Sequence, residues 1–296
     1  MLINGAELWK EYELIDTGNF RKLERFGSAI VSRPEPQAWW NTALPEKEWD
    51  KLSHAVFTRA ISNDDLGQGE KGNWKLMKTM PADWKVCFTL NNKKLSFQLG
   101  MSAFKHVGLF PEQAANWTYI YNSVSAIPKP CRVLNLFAYT GGASLVARAA
   151  GAEVYHVDSV KQVVTWANQN MLASGLTDIH WVVEDATKFV KREATRGSRY
   201  QGIILDPPVY GRGPAGEKWT LAQHLNPLLE LCRKLLDSNN SFILLNTYSL
   251  GISPLITDNL IRYHFPAANP ESGEIYIADA AGRKLPLGAV TRFRTK

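Results

Sequence analysis

The sequence predicts an α/β fold: a doubly wound, mainly parallel sheet behind a smaller, strand-rich α+β domain. Three observations carry this. After Pro130 the chain alternates short apolar runs with helical stretches. Those runs are continuous rather than alternating, as strands buried on both faces require. Between the two textures lies Ile127-Pro128-Lys129-Pro130, whose two prolines suit neither a helix interior nor a central strand. The expected division is therefore 1–126 and 127–296.

In the first part, "YELIDTGNFRKLERFGSAIVSRP" alternates around Thr17-Gly18-Asn19 and Phe26-Gly27-Ser28, which reads as strands and turns. "KVCFTLNNKKLSFQLG" is a hairpin through Asn91-Asn92, since asparagine tolerates positive φ. "PEQAANWTYIYNSVSA" is a helix with Pro111 in its first turn. Beyond Pro130, strands are expected at 133–137, 154–157, 181–183, 202–205 and 242–245. Helices are expected at 143–150, 160–173 and 221–236. "EIYIADAAGRKLPLGAVTRFR" ends the chain as two strands joined near Ala281-Gly282.

Composition narrows the function. With 45% hydrophobic and 21% charged residues, the chain has globular rather than disordered composition. "MLINGAELWKEYEL" holds three glutamates and is no secretory leader, and no apolar run approaches the ~20 residues of a membrane span. Cys87, Cys131 and Cys232 form no CxxC pair, so neither a zinc site nor a disulfide framework is indicated, and buried thiols in the cytoplasm are expected. The six histidines show no HxxxH spacing, so no metal is expected. A net charge of +6 and a pI near 9.1 favour an anionic partner, nucleic acid foremost.

Several stretches suit RNA. "KGNWKLMKTMPADWK" interleaves four lysines with Trp74 and Trp84, "KFVKREATRGSR" carries five basic residues, and the tail adds Arg292, Arg294 and Lys296. Basic charge with aromatics fits phosphate contact and base stacking. For each stretch taken singly, solvated lysines over tryptophans packed in a small core fit somewhat better. In "RPEPQAWW", Trp39 and Trp40 are expected in the core rather than as base platforms.

The candidate site lies after the strands of the sheet, where open parallel sheets bind ligands. "VLNLFAYTGGASL" runs from a strand into Tyr139-Thr140-Gly141-Gly142, a loop built for close backbone approach. The dinucleotide pattern GxGxxG is not met, which speaks against a nicotinamide enzyme. The second strand ends in Asp158, 17 residues after Gly141, placed to accept from a ribose diol or to cap the next helix. Asp185 ends the third, able to bond an adenine amino group or to cap. "GIILDPPVYG" is the sharpest signal. Asp206-Pro207-Pro208 makes a rigid loop with one carboxylate, suited to holding the amino or ring-nitrogen edge of a base, and Tyr210 could stack on it.

Together "VLNLFAYTGGASL", "VDSVKQVVTWANQN" and "LDPPVYGRG" resemble class I S-adenosylmethionine-dependent methyltransferases, and more narrowly bacterial large-subunit ribosomal RNA methyltransferases acting at cytosine C5 or guanine N7. The resemblance covers about residues 100 to 250 well. It implies a Rossmann-like, seven-stranded sheet with an antiparallel seventh strand, S-adenosylmethionine as cofactor and ribosomal RNA as partner. By the resemblance, Tyr139–Gly142 would face the methionine part, Asp158 the ribose and Asp185 the adenine. Asp206, Pro207, Pro208 and Tyr210 would line the methyl-transfer site. "GLFPEQ" would place Phe110 and Gln113 in the cofactor pocket, although relatives carry an arginine where this chain has Ala114. A cytosine-C5 enzyme needs a cysteine nucleophile after the fifth strand. Here "LLNTYSLGIS" offers Thr247, Tyr248 and Ser249 instead. The expected activity is thus methylation of an RNA base at nitrogen, with no cysteine nucleophile. The alternatives are a small-molecule or protein acceptor on the same fold, or a cytosine-C5 enzyme. A cofactor-binding module without turnover would have no use for the rigid proline loop.

Overall fold

The computed structural model describes residues 1–6, 9–59, 71–213, 216–248 and 252–295. Ser249 and Lys296, singled out above, lie outside them. The chain forms two compact units: residues 4–114 with 276–286, and residues 1–3 with 115–275 and 287–296.

In chain order the first strands are β1 (Leu2–Asn4), β2 (Tyr12–Gly18), β3 (Arg21–Phe26) and β4 (Ala29–Pro34). Helix α1 (Glu46–Leu52) precedes β5 (Ala55–Arg59), β6 (Gly72–Leu76) and the hairpin β7 (Lys85–Leu90) with β8 (Lys93–Gln98). In the smaller unit β2-β3-β4-β5-β6 form one sheet. Its interior holds charge, and the charge is compensated. Arg33 donates to Glu24 through Nε at 2.8 Å and Nη2 at 2.5 Å, and the Tyr12 hydroxyl donates to the other Glu24 oxygen at 2.9 Å. Such a pair costs desolvation and persists only when each group is fully bonded. Asp16 gathers the Leu44 N–H and Trp49 Nε1, both at 2.8 Å, and the Arg283 guanidinium, which ties the 276–286 turn into this unit.

The tryptophans divide. Trp84 is buried and donates to the Phe26 carbonyl at 3.1 Å, while Trp74 sits edge-on to Phe57 at 5.2 Å. Trp84 serves the core, while Trp74 is half-buried, its Nε1 donating to the Ser102 carbonyl at 3.0 Å. Trp40 is half-buried and donates to the Thr17 carbonyl at 3.1 Å. Trp39 does not join it. Its ring is 75% exposed, contrary to expectation, because the Pro36–Trp40 segment turns adjacent side chains in opposite directions.

The larger unit carries α2 (Ala114–Ala126), β9 (Arg132–Leu136), α3 (Gly142–Ala149), β10 (Glu153–Asp158), α4 (Lys161–Ala173), β11 (Ile179–Val183) and α5 (Ala186–Thr195). Then come β12 (Gly202–Leu205), a ribbon of β13 (Tyr210–Arg212) and β14 (Lys218–Thr220), α6 (Leu221–Leu235), β15 (Phe242–Thr247), α7 (Pro254–His264), β16 (Glu271–Ala278) and β17 (Lys284–Arg294). The sheet order is β1-β16-β17-β15-β12-β9-β10-β11. The pairs among β11, β10, β9, β12 and β15 are parallel, and β17 runs antiparallel to β15. These seven strands are the expected sheet, and β1 extends it by one at the edge. Leu134, Leu136, Ile203, Leu205, Ile243 and Leu245 form its core with Phe189, Leu225, Leu228 and Leu229.

Helix α2 belongs with the larger unit rather than with the residues before it, so the units part near residue 114 rather than at 126/127. Two contacts explain this. Arg294 Nε donates to Ser123 Oγ at 2.7 Å. The Trp117 ring lies so close to Gly142 that a Cβ there would stand 2.6 Å from Cζ2. Gly142→Ala should therefore overpack this contact and cost about 1–3 kcal/mol. A thermal melt should show the loss. Combining it with Trp117→Leu should cost less than the two single changes summed, since the clash goes with the ring.

Candidate active site

Strand β9 has β10 on one side and β12 on the other, so the sheet changes direction there. Leu136 pairs with Val157 and with Leu205, which sets the carboxyl ends of the three strands level. Ligands of open α/β sheets bind at such a switch. The predicted residues Tyr139–Gly142, Asp158 and Asp206 follow these ends.

Asp158 organises the first loop. Its Oδ2 accepts from the Tyr139 N–H and its Oδ1 from the Val160 N–H, both at 2.9 Å. Burial nonetheless raises its carboxyl above the ordinary range, with these bonds pulling it back. It thus serves both its own backbone and the loop after β9, and it does not cap α4 through a side-chain bond. Asp185 does cap. Its Oδ1 accepts from Lys188 N at 2.9 Å at the start of α5. Between them Val160 and Val183 stand 46% and 45% exposed, and Val183 is the strand partner of Asp158.

The two glycines approach the protein itself. A Cβ on Gly141, at φ +92°, would stand 3.0 Å from Ala167 Cβ, and Gly142 meets Trp117 as above. The loop is also held from beneath. Asn170 Nδ2 donates to the Thr140 carbonyl at 3.0 Å. Ser144 Oγ accepts from Asn135 Nδ2 at 2.9 Å and lies 3.0 Å from His156 Nδ1. Burial pushes His156 down to about 3, so this support is neutral.

Asp206 follows β12 and accepts from Asn246 Nδ2 at 2.7 Å. Burial pushes its carboxyl up to about 6, and the Asn246 bond opposes the rise. Pro207 is buried and Pro208 exposed. Trp219 holds the proline loop, donating from Nε1 to the Pro208 carbonyl at 2.7 Å while its ring packs on Phe137 at 4.8 Å. Tyr210, 65% exposed, opens the β13–β14 ribbon. Asn246 and Trp219 were missed in the sequence. Asn246 is findable, since β15 pairs with β12 and sets it level with Asp206. Nothing in the local pattern marks Trp219.

Phe110 and Gln113 belong to the smaller unit, at a 3-10 turn over Pro111–Gln113, and the constellation described here is confined to the larger one. Thr247, at the end of β15, is buried against the Ala289 carbonyl. Cys131 and Cys232 are buried elsewhere, and burial raises the Cys232 thiol to about 12. Among the described residues no three His, Cys, Asp or Glu side chains are grouped to hold a metal ion.

A family model described as "Conserved hypothetical protein 95" matches residues 105–246. The ribosomal RNA large subunit methyltransferase K/L of Shewanella frigidimarina is 28% identical over 154 residues, 51% of this chain and 21% of that protein. The ribosomal RNA large subunit methyltransferase K of Neisseria meningitidis is 24% identical over 223 residues, 70% of this chain and 59% of that protein. This chain thus spans about a fifth to three fifths of the length of these two curated relatives. The crystal structure of a SAM-dependent methyltransferase from Agrobacterium tumefaciens superposes with a TM-score of 0.89 at 37% identity, covering 100% of this chain and 94% of that one. With likeness over its whole length, level strand ends, and an aspartate ending β10 and another directly following β12, the chain belongs to the class I S-adenosylmethionine-dependent methyltransferases.

Proposed function

We propose that this methyltransferase acts on a base of ribosomal RNA, at a nitrogen atom and without a cysteine nucleophile. The observation that carries the reading is Asp206, a desolvated carboxylate fixed by Asn246 at the head of a proline loop. The names of the curated relatives support the acceptor class. No helix among the described residues is long and apolar enough to cross a membrane. A ribosomal RNA acceptor supports a cytoplasmic location.

The residues fit the cofactor. Asp158 is a buried carboxylate at a strand end, with acceptor capacity beyond its backbone bonds for ribose hydroxyls. Val160 and Val183 offer exposed apolar surface beside it for the adenine, and Asp185 stands near to receive its amino group. Tyr139–Gly142 would face the methionine part. When bound, S-adenosylmethionine supplies a methyl group already activated on sulfonium. The protein's task is then orientation and exclusion of water. Asp206 accepts an N–H of the acceptor base and aims the nitrogen lone pair. With its carboxyl near 6 it can also receive the proton that the nitrogen loses. Pro207 and Pro208 keep that geometry rigid, the Pro208 carbonyl being already committed to Trp219. Tyr210 stacks on the base.

The direct test is transfer of tritiated methyl from S-adenosylmethionine to ribosomal RNA from cells lacking this protein, followed by nucleoside analysis. Label at a nitrogen is expected. Label at cytosine C5 would overturn the nitrogen assignment, and no label on free RNA or subunits would point to a small-molecule or protein acceptor.

Asp158→Ala should weaken cofactor binding about 10- to 100-fold by calorimetry, as loss of bonds to a charged acceptor predicts. Asp206→Asn should lower kcat by about 10²-fold or more while leaving cofactor affinity within about twofold. Comparable loss of cofactor binding would remove Asp206 from the acceptor side. The same variant should gain stability. A folded carboxyl raised to about 6 from an ordinary 3.8 contributes stability present below the ordinary value and lost as pH rises through about 6. Denaturant melts should therefore find Asp206→Asn more stable than the parent at pH 8, with the difference vanishing near pH 4.

A further inference from the structure

We propose that Phe20 and Trp39 form a base-stacking platform for an unpaired stretch of the RNA acceptor, an inference that rests on the acceptor being RNA. Phe20 is 58% exposed and Trp39 75% exposed. Among the described residues from 18 to 59 no other large hydrophobic side chain is exposed. The two rings stand on one backbone support. Phe20 N donates to the Ala38 carbonyl at 2.8 Å, Asn19 N to the Trp40 carbonyl at 2.7 Å, and Glu35 N to the Phe20 carbonyl at 2.8 Å. Gly18 lets the segments meet, since a Cβ there would stand 2.5 Å from Asn41 C. Trp39 Nε1 donates to the Pro36 carbonyl at 2.6 Å, which fixes the plane of its ring.

The backbone carries a second sign. Asn19 and Phe20 lie at φ +50° and +60°. Asparagine is at ease there, but a bulky aromatic is a strained outlier, and at 58% exposure it recovers little of that cost through packing. Strain held by an exposed ring points to use. Isolated rings on a polar turn suit stacking, whereas a docked protein wants contiguous apolar area. Charge at the same end of the sheet agrees. Strand β5 runs parallel to β4, so its last residue, Arg59, lies toward the Pro34 end, and Arg59 pairs with Gly72, next to Lys71. Both cations are exposed and suited to the phosphates of a strand whose bases lie on the rings.

The test is binding of the full chain to a labelled single-stranded RNA of about 12 nucleotides and to an unmodified large-subunit RNA transcript. Trp39→Leu keeps apolar bulk and removes the flat ring. It should weaken binding about 5- to 100-fold with the salt dependence unchanged, and Trp39→Phe should restore most of it. Phe20→Asn should weaken RNA binding while raising Tm, because asparagine relieves the backbone. Parental affinity in both Trp39→Leu and Phe20→Asn would overturn the platform. So would function kept by Trp39→Leu but lost in Trp39→Asp, which would mark an apolar docking site. If the parent binds and methylates no RNA, the acceptor reading fails and the platform with it.

Discussion

The site depends on the register of β9 between its two neighbours. Leu136 stands level with Val157 and Leu205, so three chain segments leave the sheet at one height. Asp158 then needs no long side chain to reach the Tyr139 N–H, because the two strands end side by side. The same level places Asp206 beside Asn246, one strand further on. A slip of one residue would turn each of these side chains to the opposite face. The fully buried run Gly202–Leu205 and the buried Leu134, Leu136 and Val157 forbid the slip. The chemistry of the edge is thus held by apolar packing several residues below it.

The polar groups under the site are shaped by burial. His156 is kept neutral under the glycine loop, where a cation would be costly. Burial raises the Asp206 carboxyl toward 6, against the support that Asn246 gives its charged form. Asp158 accepts from backbone N–H groups and still sits above the ordinary range, because burial outweighs them. At both carboxyls burial outweighs the hydrogen bonds that favour the charged form. In the smaller unit Glu24 is satisfied outright by Arg33 and Tyr12, and that pair is structural.

Much of this was legible in the sequence. Continuous apolar runs gave the parallel strands, and the loops after them followed from the sheet's geometry. Asp206-Pro207-Pro208 was visible because two prolines admit few conformations. Other features were hidden by physics the sequence does not display. The glycines Gly141 and Gly142 signalled close approach, but the partners are Ala167 and Trp117, residues 25 or more positions away. Trp219 depends on a ribbon whose pairing of Tyr210 with Thr220 no periodicity announces. Trp39 and Trp40 are neighbours of one type, and only the turn decides which ring faces out.

Positive φ sorts the strained positions by cause. Asn19, Asn91, Asn92, Asn240 and Asp178 hold it in turns, where short polar side chains are expected. Three aromatics hold it as well: Phe20, Phe137 and Tyr139. Sterics do not favour this, so something must hold each one. Phe137 is pinned by the Trp219 ring, and Tyr139 by the bond from its N–H to Asp158. Both lie between β9 and the glycines, close to the proline loop that Trp219 holds. Trp219 links the two loops, touching Phe137 on one side and bonding the Pro208 carbonyl on the other. The strain at Phe137 and Tyr139 is the local cost of keeping the two loops in one fixed relation, which a reaction governed by alignment demands.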